Sequence, residues 1–164
     1  MSSNAPMDIL QAVVLPEWID YNGHMNVGYY NVAFDKATDG LFDHLDMGLD
    51  YVQRENKSFF TLETHVHYVR EVLEGTPLRY TVQLLDFDAK RVHAFFQMFH
   101  AEEGYLSATS EQMCVHVDLA TRRTAAMPDD LYARVEKLGL AHRDLPWPEQ
   151  AGRGMKIRRR GAAA

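Results

Sequence analysis

Residues 20–26, Asp20-Tyr-Asn-Gly-His-Met-Asn26, run directly into VGYYNVAFDKATDGLFDHLD at 27–46. In the second stretch apolar residues fall at Tyr30, Ala33, Phe34, Ala37, Leu41, Phe42 and Leu45. Steps of three and four put them on one stripe, so the spacing predicts an amphipathic helix over residues 28–46. Asn26 stands where a cap belongs, its side-chain oxygen able to accept from a free first-turn amide. Gly40 costs a helix about 1 kcal/mol relative to Ala, which predicts a close packing contact at that position.

Outward from the helix the period changes to two. Phe60, Leu62, Thr64, Val66 and Tyr68 alternate with Phe59, Thr61, Glu63, His65 and His67. That alternation predicts a strand with one apolar and one mixed face. Leu78, Tyr80, Val82 and Leu84 alternate after Gly75-Thr-Pro77, Arg91 to His100 is aromatic and β-rich, and Leu106 to Val117 follows a Glu102-Glu-Gly104 turn. Before the helix, Ile9 to Leu15 reads as a short strand ended by Pro16, and Asp129 to Leu138 favours a short helix. One long helix with about five antiparallel strands is an α+β arrangement, the helix covering one sheet face.

The 164 residues carry one cysteine, Cys114, so an internal disulfide is impossible and a cysteine-based zinc site nearly so. Cys114 itself lies in an apolar strand and reads as packed. No apolar run approaches the roughly 20 residues of a membrane span, so no membrane partner is expected. The opening MSSNAPMDIL has no basic start followed by an apolar run, which makes the cytoplasm the expected location. A net charge of −6 argues against a nucleic-acid partner. Arg143 to Arg160 nevertheless carries six bases and two acids. It reads as a solvated tail, or as a contact for ligand phosphates or a neighbouring subunit.

Two clusters could carry chemistry. Asp20, His24 and Asn26 precede a helix N-terminus, where free N–H groups and the dipole favour negative charge. Such donors suit an oxyanion, and a nearby carboxylate can attack or activate water. The same residues also make an ordinary turn and cap, and both readings are open. Glu63, His65 and His67 share one strand face, and an acid in mid-strand is uncommon unless exposed or functional. His65-x-His67 before Glu71 resembles part of a cupin metal motif, but Phe59 stands where its glycine belongs and no second such motif follows, so no metal is expected. Trp18, Tyr21, Tyr29, Tyr30, Phe34, Phe59 and Phe60 crowd these clusters, as core or as ring faces for a quaternary ammonium group.

Asp20 to Asn26, followed by an aromatic amphipathic helix and four strands, resembles the hotdog-fold acyl-CoA thioesterases of the 4-hydroxybenzoyl-CoA thioesterase type, over about residues 9–118. Glu17 to Asn26, Glu63-Thr-His65, Asp88 to Arg91, Glu111-Gln-Met113, His116 to Asp118, and Leu145 to Glu149 with Gly152-Arg153 resemble a branch associated with carnitine dehydrogenase. The resemblance implies a hotdog domain over 8–140, between a disordered arm at 1–7 and a basic tail at 141–164. It implies hydrolysis of a short acyl-CoA, betainyl-CoA in carnitine breakdown, with no cofactor. It also implies a homodimer or dimer of dimers, its sites between one chain's helix start and the other's strands. Asp20 then becomes nucleophile or base, and the Val27 and Gly28 amides polarise the thioester. His24 and Asn26 position, although the 4-hydroxybenzoyl type has apolar or aromatic residues at those two places. Glu63 competes with Asp20 or assists it. Trp18, Tyr21, Tyr30, Phe60 and His65 would meet the acyl group. Lys90 and Arg91, with Arg122 and Arg123, would meet CoA phosphates. A non-catalytic acyl-CoA-binding module of the same fold is the alternative.

Overall fold

In the computed structural model, which describes residues 5–157, the apolar stripe becomes helix α1 (Val27–His44). Asn26 caps it, its side chain accepting from the Gly28 amide at 2.9 Å. Tyr30, Ala33, Phe34, Ala37, Thr38 and Leu41 form the buried face. Strand β1 (Met7–Val13) crosses α1 at Gly40, where a Cβ would lie 3.1 Å from the Ile9 carbonyl oxygen. The close contact inferred from that glycine is therefore present. β1 begins at Met7, inside the expected arm, whose residues 1–4 lie outside the described residues.

The sheet continues with β2 (Lys57–Tyr68), β3 (Pro77–Phe87), β4 (Arg91–His100) and β5 (Leu106–Asp118). Its order is β1-β3-β4-β5-β2, antiparallel throughout, with the two-residue β6 (Arg123–Thr124) beside β5. A short helix α2 (Leu49–Glu55) leads into β2, and α3 (Asp129–His142) packs on β3. At seven residues, α2 is too short to show a helical period in the sequence. His116 on β5 ties these parts together. Its Nε2 meets the Tyr51 hydroxyl at 2.8 Å and its Nδ1 the Ala125 carbonyl at 3.0 Å, and burial pushes its pKa down.

Strand β2 departs from simple alternation. Thr61 pairs with Cys114 and Glu63 with Met113, so Leu62 is the extra residue of a bulge. A bulge reverses which side chains face which side. Phe59 therefore is buried, packed 5.5 Å from Phe42, whereas Phe60 and Leu62, expected on the apolar face, are exposed. Beyond the bulge Thr64, Val66 and Tyr68 turn towards α1, and Glu63, His65 and His67 turn away.

The basic tail is also corrected over its described part. Gln83 Nε2 donates to the Pro146 carbonyl at 3.3 Å, Trp147 meets the His93 ring edge at 6.2 Å, and Gly152 N–H donates to Glu111 at 2.7 Å. Residues 146–152 thus lie across the sheet on the face away from α1. Arg158, Arg159 and Arg160 lie outside the described residues. Among the described residues no helix is long and apolar enough to cross a membrane.

Candidate active site

The chain enters α1 through a tight hairpin. Ile19 bridges Met25, Asp20 N–H donates to the His24 carbonyl at 3.1 Å, and Gly23 N–H donates to the Asp20 carbonyl at 2.9 Å. Gly23 sits at φ +82°, a left-handed conformation that glycine adopts without steric cost. Met25 N–H donates to the Val72 carbonyl, and Asn26 N–H to that of Trp18. These bonds hold the hairpin between the helix start and the segment that follows β2.

The two oxygens of Asp20 have different surroundings. Oδ1 accepts from Asn22 N–H at 2.8 Å and so builds the turn. Among the described residues Oδ2 has one hydrogen-bond partner, Asn26 Nδ2 at 3.5 Å, too long for a strong bond. The carboxylate is 13% exposed, with one oxygen anchored in the turn and the other without a strong hydrogen bond among the described residues. His24 Nδ1 lies 3.2 Å from the Met25 carbonyl, an acceptor, and 3.9 Å from Asp20. In a neutral ring this acceptor favours the tautomer with the proton on Nδ1, which leaves Nε2 as the hydrogen-bond acceptor.

The two expected oxyanion amides are not equivalent. Gly28 N–H is taken by the Asn26 cap, whereas Val27 N–H has no acceptor among the described residues. The Val27 carbonyl accepts from the Tyr68 hydroxyl at 3.3 Å. Tyr68 also meets Tyr30 edge-on at 5.0 Å. Burial pushes both tyrosine hydroxyls up, which keeps them as donors. Around them lies a cavity of about 220 Å³ lined by His24, Val27, Tyr30, Tyr68, Arg70 and Glu71. Of these, Tyr68, Arg70 and Glu71 were not legible as site residues, because their approach depends on how the end of β2 meets the hairpin.

Asp20, His24, Asn26, Val27, Gly28 and Tyr30 are brought together, but the other candidates are not. The Trp18 ring is buried, stacked on Tyr29 at 5.9 Å, with the Lys36 ammonium over it at 5.2 Å. Tyr21 projects from the hairpin tip, 97% exposed. Phe34 and Phe59 are core, and Phe60 lies under Arg122 at 5.8 Å. Glu63 and His65 pair with each other at 2.8 Å on the far face of the sheet. Arg91 is locked to Asp88 across the β3–β4 turn, which holds the Asp88 carboxyl at about 2; Lys90 occupies the same turn. Cys114 is buried and its thiol pushed up by that burial, as a packed residue should be.

A family model described as the thioesterase-like superfamily matches residues 14–135. A betainyl-CoA thioesterase of Pseudomonas aeruginosa is 44% identical over 142 residues, 85% of this chain and 88% of that protein. An L-carnitine dehydrogenase/betainyl-CoA thioesterase of a Rhizobium species is 36% identical over 90% of this chain, which spans 30% of that protein. A Staphylococcus aureus protein solved in complex with CoA superposes with a TM-score of 0.86 at 28% identity, over 93% of this chain and 97% of the other.

Proposed function

The chain belongs to the thioesterase-like superfamily, and on that premise we propose that it hydrolyses betainyl-CoA to glycine betaine and free CoA, in the cytoplasm, as a step of carnitine degradation. The chain is an acyl-CoA thioester hydrolase of hotdog fold. The observation that carries the site assignment is the hairpin that places Asp20 within contact of the Asn26 cap, which leads into Val27. Among the described residues Asp20 Oδ2 has no short hydrogen bond and Val27 N–H has no acceptor. The thioester carbonyl oxygen accepts from Val27 N–H, and the helix dipole stabilises the charge that develops there. Asp20 Oδ2 then adds to the carbonyl carbon, expelling the CoA thiolate and leaving an acyl anhydride that water cleaves. Alternatively, Asp20 or His24 Nε2 takes a proton from water as that water attacks. Both routes place the negative charge at the same amide.

The acyl preference rests on the sequence relatives and on the cavity wall. Tyr68 offers an exposed aromatic ring and Glu71 a carboxylate, groups that attract a trimethylammonium ion. The Arg70 guanidinium is stacked over Tyr105 at 3.8 Å and pairs with Glu103. Replacing the trimethylammonium head by tert-butyl, as in 3,3-dimethylbutanoyl-CoA, keeps shape and removes charge. Its kcat/KM should be lower by about tenfold or more, since 1.4 kcal/mol is a factor of ten. Equal values for the two thioesters would refute a cation-selective pocket.

We further assign a homodimer or dimer of dimers. β2 is an edge strand, and Phe60, Leu62 and Tyr68 on it, with Val27 and Val32 on α1, are exposed apolar residues. A long apolar edge is a liability that two-fold pairing removes. Light scattering at micromolar concentration should give twice or four times the 18.8 kDa chain mass. A stable monomer would reject this assembly.

A further inference from the structure

The face of the sheet turned away from α1 carries a second constructed region. His93 Nε2 pairs with Glu111 Oε1 at 2.8 Å, and Glu111 Oε2 accepts from Gly152 N–H at 2.7 Å. Trp147 packs against the same histidine. These contacts pin the chain across β4 and β5. Gly152, at φ +69°, turns it, and Arg153 to Lys156 then close over the outer side of β2. Between them lies a trough of about 500 Å³, within the size range of small-molecule sites. Its polar lining includes His65, His67, Gln150, Arg153 and Lys156, with no carboxylate among the lining residues.

The charge of this trough opposes that of the chain, which is −6. Arg153 and Lys156 have no acidic partner among the described residues, whereas Arg54, Arg79, Arg91 and Arg134 are all in ion pairs. The two carboxylates on the same face are already engaged, Glu63 by His65 and Glu111 by His93. The trough therefore presents cationic and neutral donors and lacks the anion to match. His67 immediately precedes Tyr68, whose ring and hydroxyl belong to the reaction cavity. Trough and cavity thus occupy opposite faces of the same end of β2.

Resting on the thioesterase reading, we propose that this trough holds the adenosine 3′,5′-bisphosphate end of the CoA thioester. Phosphate oxygens match the planar fork of Arg153 and the point charge of Lys156, and the His67 imidazole and the Gln150 amide supply neutral donors. These contacts are remote from the reacting carbonyl and equal in ground and transition states. They lower KM and leave kcat alone. Of the positions assigned from the sequence, Arg91 is already paired with Asp88, whereas Arg153 and Lys156 are not paired with a carboxylate among the described residues.

The test compares the Arg153→Ala/Lys156→Ala double variant with the parent on two substrates, betainyl-CoA and betainyl-pantetheine, which lacks every phosphate. KM for betainyl-CoA should rise about tenfold or more in the variant, with kcat within about twofold and betainyl-pantetheine kinetics unmoved. Adenosine 3′,5′-bisphosphate should inhibit the parent competitively and the variant about tenfold more weakly. An unchanged KM for betainyl-CoA overturns the proposal, and so does an equal rise for both substrates, which would mark a structural lesion. Inorganic pyrophosphate binding as tightly as the bisphosphate would overturn the nucleotide assignment. If the parent cleaves neither thioester, the substrate reading fails. Calorimetric titration of parent and variant with the bisphosphate then decides the trough by itself, equal affinities rejecting it.

Discussion

Asp20→Asn should reduce kcat on betainyl-CoA by about a hundredfold or more, the usual scale for loss of a general base, while KM stays within a few fold. The substitution is close to silent in structure. The amide oxygen of asparagine can keep the 2.8 Å bond from Asn22 N–H, so the turn survives. What changes is the other oxygen, which becomes an NH₂ group facing the Asn26 Nδ2 donor and can neither attack a carbonyl nor accept a proton from water. Glu63→Gln is the informative companion. Glu63 lies on the opposite sheet face, paired with His65 and largely exposed, so its loss should alter kcat little. Both variants are to be assayed at saturating substrate after circular dichroism shows them folded. Near-parental turnover in Asp20→Asn with collapse in Glu63→Gln would move the essential carboxylate to β2.

Phe34→Ala should lower the unfolding free energy by about 3–5 kcal/mol, the range for deleting a buried aromatic ring. Phe34 is 1% exposed and stands in the middle of the α1 stripe. It meets Tyr80 of β3 edge-on, centroids 5.9 Å apart at 86°. Its removal leaves a void between the helix and the centre of the sheet, where both elements are held by many other contacts and cannot collapse to fill it. Phe34→Leu, which keeps most of the volume, should cost clearly less. Urea midpoints measured at one fixed protein concentration check this, because an oligomer's stability depends on concentration. A loss below about 1 kcal/mol for the alanine variant would mean that α1 is not packed against β3 as described.

Much of the fold was legible because it is written in local periods. The three–four spacing located α1 to within two residues at each end, and Asn26 announced its cap. Alternation located β3, β4 and β5. Gly40 pointed to the β1 crossing through the one property a glycine adds to a helix, the absence of a Cβ. Asp20, His24, Asn26 and Val27 converge because all lie within eight residues, where a hairpin and a helix start leave the chain few alternatives.

What the sequence could not decide is whatever depends on a partner distant along the chain. The bulge at Leu62 exists only through pairing with β5, about fifty residues on, yet it decides that Phe59 and not Phe60 enters the core. It leaves Glu63 and His65 facing away from α1, on the side opposite the hairpin carboxylate. The period-two pattern carries no mark of an inserted residue, since the exposed and buried sets are both rich in aromatics. Charge alone likewise described residues 143–160 as a tail. The hydrogen bond from Gly152 to Glu111, and the packing of Trp147 on His93, lay its described part across the sheet. Helix periods, caps and turns are set by neighbours a few residues apart and can be read in one pass. Strand register, sheet order and the course of a charged segment are set by contacts that form only when the whole chain has folded.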